Sequence, residues 1–336
     1  TQNLLRRNDD TPAMIFRGED KVGYTVSWRR LNDQVSRLHQ AFRDVGMQPG
    51  DRVCAVMPNM PETIMAFAGA NSLGAVWSSC SPDFGERGIL DRFGQIEPGV
   101  LIVCDGYYYN GKTFDITDKI AQVAKGLPTL KKIIVVDYTG HARESAARLP
   151  NAVTLDEFID GYSPAAIDYR MLPFDHPLYI LFSTGTTGVP KCIVHSTGGV
   201  LLKHVCEHQL HGGINPGDRL FYFTTCGWMM WNWLVTALAS EATLMLYDGS
   251  PFAPSETVLF DYADEEQFTV FGTSAKFIDA VKKTGWRPMD THSLASVRTI
   301  MSTGSTLVPE SFSFVYDAIK RDVHLASMSG GTDLCG

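Results

Sequence analysis

Long apolar segments and an excess of positive charge are both missing from this sequence of 336 residues. A helix that crosses a bilayer needs about 18 to 20 consecutive apolar residues, and no run reaches that length, so we expect no membrane span. The 29 Lys and Arg residues are outnumbered by 37 Asp and Glu residues, and they form no basic stripe. With a net charge of −8, the chain is not expected to have nucleic acid as a partner.

Cysteine is scarce and scattered, with seven residues and no Cys-x-x-Cys pair. This pattern supports neither a zinc-binding framework nor a set of disulfides. Free thiols are typical of a reducing compartment, so we expect the protein in the cytoplasm, specifically the cytosol.

Hydrophobic residues make up 44% of the chain and charged residues 20%, as in globular proteins. The length exceeds one typical domain and allows a large core. The chain starts at Thr1 without a Met and stops at Gly336 just after a glycine-rich segment. We therefore expect it to be a fragment of a longer protein.

The first half of the chain alternates apolar strands with helices. Ser27 is placed to cap a helix that Gly46 ends, and its apolar residues recur at spacings of four and three, at Leu31, Val35, Leu38, Phe42 and Val45. Strands are predicted at 52–57, 75–81, 100–105 and 131–137, and helices at 61–73 and 86–93. Near-continuous apolar strands that alternate with helices are typical of a parallel sheet covered on both faces.

The same alternation restarts after a polar connector at about 139–176. Strands are predicted at 219–225, 242–248, 268–274, 297–302 and 323–328, and helices at 198–210, 229–239, 275–284 and 309–320. The run Gly-Met-Gln-Pro-Gly-Asp-Arg-Val at 46–53 recurs as Gly-Ile-Asn-Pro-Gly-Asp-Arg-Leu at 213–220, an offset of 167 residues (213 minus 46). Tandem duplication of a βα unit is favoured over chance reuse of one turn. We predict an α/β fold with a first subdomain at 1–170 and a second at 171–336.

A loop of hydroxyls and glycines between two predicted strands is the strongest functional signal. The apolar run 178–182 leads into four hydroxyl residues and two glycines at 183–188, then Pro190 and Lys191, and the apolar run 192–194 follows. Glycines let backbone N–H groups point into one concavity that binds anions, while the hydroxyls and the ammonium add donors and charge. The pattern predicts a polyphosphate ligand, and a surface hairpin without a ligand is the alternative.

This loop differs from a Walker A loop. The lysine of a Walker A loop is followed by Ser or Thr and opens a helix, whose N-terminus holds the phosphates. Lys191 is followed by Cys192 and a predicted strand. The loop is therefore expected to bind phosphate through its own amides and hydroxyls.

Ser-Thr-Gly-Thr-Thr-Gly-Val-Pro-Lys at 183–191 resembles the phosphate loop of the adenylate-forming superfamily, and the resemblance runs through most of the chain. Members activate a carboxylate with ATP to an acyl-adenylate, and the acyl-CoA synthetases among them pass the acyl group to coenzyme A. The resemblance implies two similar, mostly parallel sheets flanked by helices, as in the large N-terminal domain of these enzymes. It also implies that the phosphates of ATP bind Ser183, Thr184, Gly185, Thr186, Thr187, Gly188 and Lys191.

Two later segments also match this family. Gly304-Ser305-Thr306 resembles the segment that lies against adenine, with an ordinary strand-to-helix turn as the alternative. The run 327–333 resembles the Gly-x-Thr-Glu motif, in which the Thr hydroxyl touches the α-phosphate and the acid helps to hold Mg²⁺. The resemblance thus implies catalytic roles for Lys191, Thr332 and Asp333. Asp333 stands where most members have Glu, and because it is shorter we expect it to reach Mg²⁺ through water. A glycine-rich turn with a capping Asp is the alternative.

Three Trp and two Met residues fall within six positions at 228–233. Such aromatic clusters more often form core than pocket. Together with the run 246–251, however, this cluster resembles the acetoacetate-activating branch of the acyl-CoA synthetases. The resemblance implies an acyl pocket formed by Cys226, Gly227, Trp228 and Trp231. Bulky rings shorten the acyl tunnel, so a small acid is expected.

The expected reaction therefore forms acetoacetyl-CoA from acetoacetate, ATP and coenzyme A. Acetate or propionate is the alternative acid, and a nucleotide-binding module without turnover is the alternative class. Family members also carry a small C-terminal domain with a catalytic lysine. We expect that domain to be absent from this chain, which on its own would be largely inactive.

Three histidines, His204, His208 and His211, recur at spacings of four and three on one predicted helix. No fourth ligand or acidic partner is evident, so a metal site is not expected there. We expect this helix to be partly exposed.

Overall fold

The computed structural model describes residues 1–183 and 188–336. Its strands are β1 Pro12–Gly18, β2 Val22–Ser27, β3 Arg52–Val56, β4 Val76–Cys80, β5 Val100–Cys104, β6 Gly106–Tyr109, β7 Lys112–Asp115, β8 Lys132–Val136, β9 Ala152–Thr154, β10 Pro177–Ser183, β11 Lys191–Ser196, β12 Arg219–Tyr222, β13 Thr243–Asp248, β14 Val270–Ser274, β15 Thr299–Thr303 and β16 His324–Ser327.

The α-helices are α1 Trp28–Asp44, α2 Pro61–Asn71, α3 Glu86–Phe93, α4 Thr117–Lys125, α5 Ala142–Arg148, α6 Leu155–Ile159, α7 Thr197–Cys206, α8 Met229–Thr236, α9 Val258–Glu265, α10 Ala275–Thr284 and α11 Pro309–Phe314. Short π-helical turns, Glu207–His211 and Val315–Ile319, continue α7 and α11. Short 3₁₀ turns occur at Ala237–Ser240 and Pro288–Asp290.

Two seven-stranded sheets form the frame of the molecule. The first sheet has the order β11-β10-β4-β3-β5-β8-β9, and the second has the order β16-β15-β14-β12-β13-β1-β2. Neighbouring strands are parallel except for the edge pairs β10–β11 and β1–β2. The predicted class of two similar, mostly parallel sheets flanked by helices is confirmed. Each sheet contains strands from both sides of residue 170, because β1 and β2 join the second sheet and β10 and β11 join the first.

The repeated turn forms the same hydrogen bonds in both sheets. Its aspartate accepts from a backbone N–H three residues earlier, from Gln48 to Asp51 at 2.9 Å and from Asn215 to Asp218 at 2.6 Å. The glycine before each aspartate has a positive φ, of 87° and 83°, which favours glycine. The order β4-β3-β5-β8-β9 also matches β13-β12-β14-β15-β16. This shared order supports tandem duplication over reuse of a single turn.

Helix α1 begins as its cap predicts and ends one residue earlier than expected. The Ser27 hydroxyl accepts from the Arg30 N–H at 3.2 Å, and the helix ends at Asp44. The predicted core positions are buried at Leu31, Val35, Leu38 and Phe42. The assignment of Val45 to the same apolar face is wrong, because Val45 lies past the last turn and is 48% exposed.

The predicted connector at 139–176 contains regular structure, which corrects the sequence interpretation. It includes α5, β9 and α6, and β9 extends the first sheet by pairing in parallel with β8. Thr154 and Glu157 form a capping box, with the Thr154 hydroxyl accepting from Glu157 N–H at 3.2 Å. Thr-x-x-Glu is a recognisable start signal, so this helix was detectable in the sequence.

The two sheets share one apolar core. Trp231 of α8 stacks on Trp77 of β4, with ring centroids 6.4 Å apart and an interplanar angle of 18°. Phe67 of α2 meets Trp231 edge-on at 5.8 Å. The Trp231 indole N–H donates to the Asn59 side-chain oxygen at 3.1 Å, so its polar atom is also satisfied.

Buried carboxylates join the loops beside this core. Glu19 is only 2% exposed and accepts three backbone N–H bonds, from Asn110 at 2.6 Å, Gly111 at 2.8 Å and Ser250 at 2.8 Å. These donors come from the β6–β7 turn and from the segment after β13. Glu19 therefore ties two loops from different parts of the chain to the β1–β2 turn.

Asp248 lies at the end of β13 next to this junction. The residue keeps some surface exposure, but its carboxylate is enclosed and accepts the Tyr138 hydroxyl at 3.0 Å. Burial raises the pKa of Asp248 to about 7, and the negative charge of Glu19 acts in the same direction. The folded protein therefore holds a proton here that the unfolded chain releases at lower pH.

We predict that Asp248→Asn removes a pH dependence of stability. The raised pKa stabilises the folded state fully below about pH 4, and this contribution is lost as pH rises to about 7. Relative to the variant, the wild-type free energy of unfolding should fall by about 1.4 kcal/mol per pH unit in that window. Urea unfolding at pH 5, 6 and 7 measures this slope, with exposed Asp160→Asn as the control. Parallel curves for wild type and Asp248→Asn would contradict the prediction.

Candidate active site

The β10–β11 hairpin brings the two ends of the predicted phosphate loop together. Ser183 pairs with Lys191 and Leu181 pairs with Ile193 across the antiparallel strands. Because β10 runs parallel to β4, Ser183 lies at the carboxyl edge of the first sheet, where ligands of parallel sheets bind. The loop residues Thr184, Gly185, Thr186 and Thr187 lie outside the described residues, so their phosphate contacts stay predictions.

The described end of the loop is held by the neighbouring helix. Gly188 has a φ of 111°, a conformation that side chains disfavour. The Pro190 carbonyl accepts from the Gln95 side-chain amide at 2.8 Å, just past the end of α3. Lys191 is the first residue of β11 and is exposed. A rigid strand thus carries the cation that follows the loop.

A cavity of about 480 Å³ opens at the carboxyl edge of the second sheet. It is formed by the segments that follow β12, β15 and β16. Its lining residues are 228–230, 303–306, 327–332 and 336. The cavity therefore collects three of the segments that the sequence singled out.

A larger cavity, of about 740 Å³, lies between α1, α2, α5 and α6. Charged side chains of both signs line it, including Arg37 and Asp156. It contains none of the predicted site residues. We assign the candidate site to the smaller cavity, because Trp228, the segment 304–306 and Thr332 line it. Ser183 and Lys191 of the β10–β11 hairpin are not among its lining residues.

Residues 304–306, the predicted adenine-binding segment, border the cavity beside the indole ring of Trp228. Gly304 has a φ of 90°, and a β-carbon at this position would lie 3.4 Å from the Trp228 ring. The Thr303 hydroxyl donates to the Met328 carbonyl at 3.0 Å, which joins this segment to the one after β16. The backbone of 304–306 is thus open to the cavity, with Trp228 opposite Gly304.

Residues 328–336, which we call the strap, carry Thr332 and Asp333. The strap continues from β16, since Met328 N–H donates to the Ser302 carbonyl at 2.8 Å. It closes one helical turn, in which Cys335 N–H donates to the Gly331 carbonyl at 2.9 Å. Thr332 lines the cavity, and Asp333 is exposed beside it.

The predicted acyl-pocket residues divide between the cavity and the core. Trp228 lines the cavity and packs edge-on against Tyr222 at 6.0 Å. Trp231 is fully buried in the core that the sheets share. The Cys226 thiol is also buried, 3.2 Å from the Pro58 carbonyl. Gly227 is close-packed, because a β-carbon there would lie 3.0 Å from the Phe84 ring.

The helix that carries the three histidines is partly exposed, as expected, but two of the histidines lie on its buried face. His204 and His208 have no exposed surface, whereas His211 is exposed. Burial lowers the pKa of His204 to about 4 and that of His208 to about 3, so both rings are neutral near pH 7. Within residues 1–183 and 188–336, no group of three or more His, Cys, Asp or Glu side chains is arranged to hold a metal ion.

Sequence reasoning missed two contacts that hold the strap. His195 Nε2 lies 2.8 Å from the Thr332 carbonyl, and His204 Nε2 lies 2.6 Å from the Cys335 carbonyl. The only local signal was the position of His195, four residues after Lys191 on the same strand. No pattern in the sequence indicates a carbonyl partner more than 130 residues away.

No α-helix in the described parts of the chain is both long and apolar enough to cross a bilayer. All seven cysteines are free thiols.

Comparison with known protein families matches residues 2–336 to the family described as AMP-binding enzyme. The chain belongs to this family, as the resemblance of residues 183–191 implied. The match covers the hairpin, the cavity and the strap described above.

The similar proteins include several acetoacetyl-CoA synthetases. Acetoacetyl-coenzyme A synthetase of Rhizobium meliloti (strain 1021) is 60% identical over 335 residues, which cover 99% of this chain and 51% of that protein. Acetoacetyl-CoA synthetase of Xenopus tropicalis is 44% identical over 341 residues, with 99% and 51% covered. The solved structure of acetoacetyl-CoA synthetase from Streptomyces lividans matches with a TM-score of 0.93 at 39% identity, covering 99% of this chain and 52% of that one. This chain spans about half the length of these relatives.

Proposed function

We propose that this protein takes part in an AMP-forming acid–thiol ligase reaction that makes acetoacetyl-CoA from acetoacetate, ATP and coenzyme A. The names of its relatives and its family support this proposal. The observation that carries it is the single cavity bordered by Trp228, the segment 304–306 and Thr332. The proposed reaction needs room for an acid, an adenine and an α-phosphate, which we assign to Trp228, the segment 304–306 and Thr332 respectively. The free thiols are consistent with a cytosolic setting, which we include in the proposal.

The proposed chemistry has two steps. In the first, a carboxylate oxygen of the acid forms a bond to the α-phosphorus of ATP, and the bond from that phosphorus to pyrophosphate breaks. In the second, the thiol of coenzyme A loses its proton and attacks the activated carbonyl, and AMP leaves. Little of this requires covalent chemistry from the protein, so binding geometry and electrostatics supply the catalysis.

The residues have separate proposed roles in the first step. Lys191 and the donors of the loop 183–188 bind the phosphates, and the Thr332 hydroxyl contacts the α-phosphate. The backbone of 304–306 lies along the adenine. Trp228 bounds the acid, with Trp231, Cys226 and Gly227 packed behind it. This assignment places the acid and the α-phosphate at one cavity, beyond the carboxyl ends of β12, β15 and β16.

The residues present also fit Mg²⁺. Asp333 offers an exposed carboxylate beside the cavity, and Mg²⁺ prefers carboxylate and phosphate oxygens while retaining several waters. When bound, the ion would balance the charge of the phosphates. Asp333 would hold it through water, given its short side chain.

The experiment that tests the function is ATP–pyrophosphate exchange with acetate, propionate, acetoacetate and hexanoate. It is measured on this chain joined to the remaining half of the Rhizobium meliloti relative, because the chain on its own is expected to be largely inactive. Exchange that is fastest with acetoacetate supports the proposal. A preference for acetate or propionate would identify another short-chain acyl-CoA synthetase instead. ATP·Mg binding in a calorimeter without exchange for any acid would identify a nucleotide-binding module, which is the alternative class.

We predict that Lys191→Ala slows adenylation by about 10²–10³-fold, the loss typical of one electrostatic donor to a transition state. The ammonium should interact more strongly with the transferring phosphates than with bound ATP, so the rate should fall more than the affinity. Exchange kinetics with saturating acid measure both quantities. Lys283→Ala removes an exposed lysine on α10 and serves as the matched control. Near-normal exchange in Lys191→Ala would contradict the proposed role of Lys191 in binding the phosphates.

We predict that Trp228→Gly shifts the preference towards longer acids. Removing the indole enlarges the cavity beside Gly304, and discrimination by methylene-sized space in an apolar pocket is about 1–3 kcal/mol. The ratio of kcat/KM for hexanoate and acetoacetate measures the shift. Trp231→Phe changes a buried residue of α8, the helix that begins just after Trp228. This variant tests whether Trp231 also limits the length of the acid. A folded Trp228→Gly variant with an unchanged acid profile would return Trp228 to a purely structural role.

A further inference from the structure

The strap is tied to the rest of the molecule by two imidazole rings. His195 Nε2 contacts the Thr332 carbonyl at 2.8 Å, and His204 Nε2 contacts the Cys335 carbonyl at 2.6 Å. A carbonyl oxygen only accepts, so each histidine donates from Nε2 and carries its proton there. The two contacts bracket Asp333 and fix the turn that presents it.

Further contacts hold each ring in place. His195 packs edge-on against Tyr179, with ring centroids 5.8 Å apart, and the Tyr179 hydroxyl lies 3.1 Å from the Cys335 sulfur. His204 Nδ1 lies 3.0 Å from the Thr236 hydroxyl, and the ring has no exposed surface. Neither ring is free to rotate without losing a polar partner. Both rings are therefore suited to hold a backbone segment in place.

The His195 contact connects the two sheets at the candidate site. His195 and Lys191 lie on β11 of the first sheet, four residues apart, so their side chains leave the same face of the strand. Thr332 belongs to the strap that follows β16 of the second sheet. One hydrogen bond therefore joins the strand that carries the cation to the segment that carries the α-phosphate hydroxyl.

We propose that His195 and His204 are positioning residues, which fix Thr332 and Asp333 relative to Lys191 for the adenylation step. This inference rests on the proposed function. Without the two histidine tethers the strap keeps its bond from Met328 to Ser302, its own helical turn and the contact of Cys335 with Tyr179. It loses the hydrogen bond that joins Thr332 to β11. A displacement of about 1 Å at reacting groups costs on the order of 10²-fold in rate.

The test compares His195→Leu, which cannot donate, with His195→Gln, whose side-chain amide can. We expect His195→Leu to lower kcat of ATP–pyrophosphate exchange by about 10- to 100-fold, with the KM for ATP changed less than threefold, because ground-state binding does not need the strap in one place. His195→Gln should recover most of the rate. His204→Leu should act in the same direction, and exposed His211→Leu is the matched control.

Amide hydrogen exchange of the peptide covering 328–336 tests the tether without any activity. His195→Leu should speed exchange across the strap, and His195→Gln should restore protection. Unchanged exchange in a folded His195→Leu variant, or a kcat that does not recover in His195→Gln, would overturn the inference. Absence of adenylation with every acid, in the unsubstituted chain joined to the remaining half of the Rhizobium meliloti relative, would overturn the proposed function and the positioning role with it. Strap protection would still show whether the tether exists. If His195→Leu fails to fold, the kcat and strap protection of His204→Leu decide the question.

Discussion

Trp231 packs against Trp77 and Phe67 at the centre of the core that the two sheets share, and the location of the candidate site depends on this contact. The ring of Trp231 comes from α8 of the second repeat, whereas Trp77 and Phe67 come from β4 and α2 of the first. Burying three large rings in one place removes several hundred square ångströms of apolar surface from water, so the relative placement of the sheets is strongly favoured. The β10–β11 hairpin then contacts the strap, through the hydrogen bond between His195 Nε2 and the Thr332 carbonyl.

This arrangement suits chemistry in which the protein supplies position and charge. The cavity has a hydroxyl on the strap and exposed backbone at 304–306, and Lys191 lies at the start of β11 on the neighbouring hairpin. These groups are carried by segments that leave rigid strands. The Gln95 side chain donates to the Pro190 carbonyl beside the lysine, and the Thr303 side chain donates to the Met328 carbonyl of the strap. Polar groups that are held before a ligand arrives need little reorganisation when charge develops, which is the main electrostatic advantage of a folded site.

Several features could be predicted from the sequence because their causes are local. Apolar spacing located α1, and the predicted ranges 86–93 and 275–284 match α3 and α10. The Thr-x-x-Glu pattern at the start of α6 was also present in the sequence. Local patterns do not report where a helix meets the core, which is why Val45 was assigned to a face that ends before it. The same limit explains His204 and His208, whose helical spacing was visible but whose complete burial depends on packing against α8.

The sequence by itself determined the class of the fold, the recurrence of the turn at 46–53 and 213–220, and the family. It could do so because periodicity, turn chemistry and a nine-residue motif are carried by neighbouring residues. Only the tertiary structure decided that β1 pairs with β13, that Trp228 faces the cavity while Trp231 fills the core, and that His195 reaches the Thr332 carbonyl. Each of these depends on segments that are distant in the chain, and a backbone carbonyl carries no residue-specific signal. The physical reason is that long-range pairing follows from burying a shared core, which no local stretch of the sequence encodes.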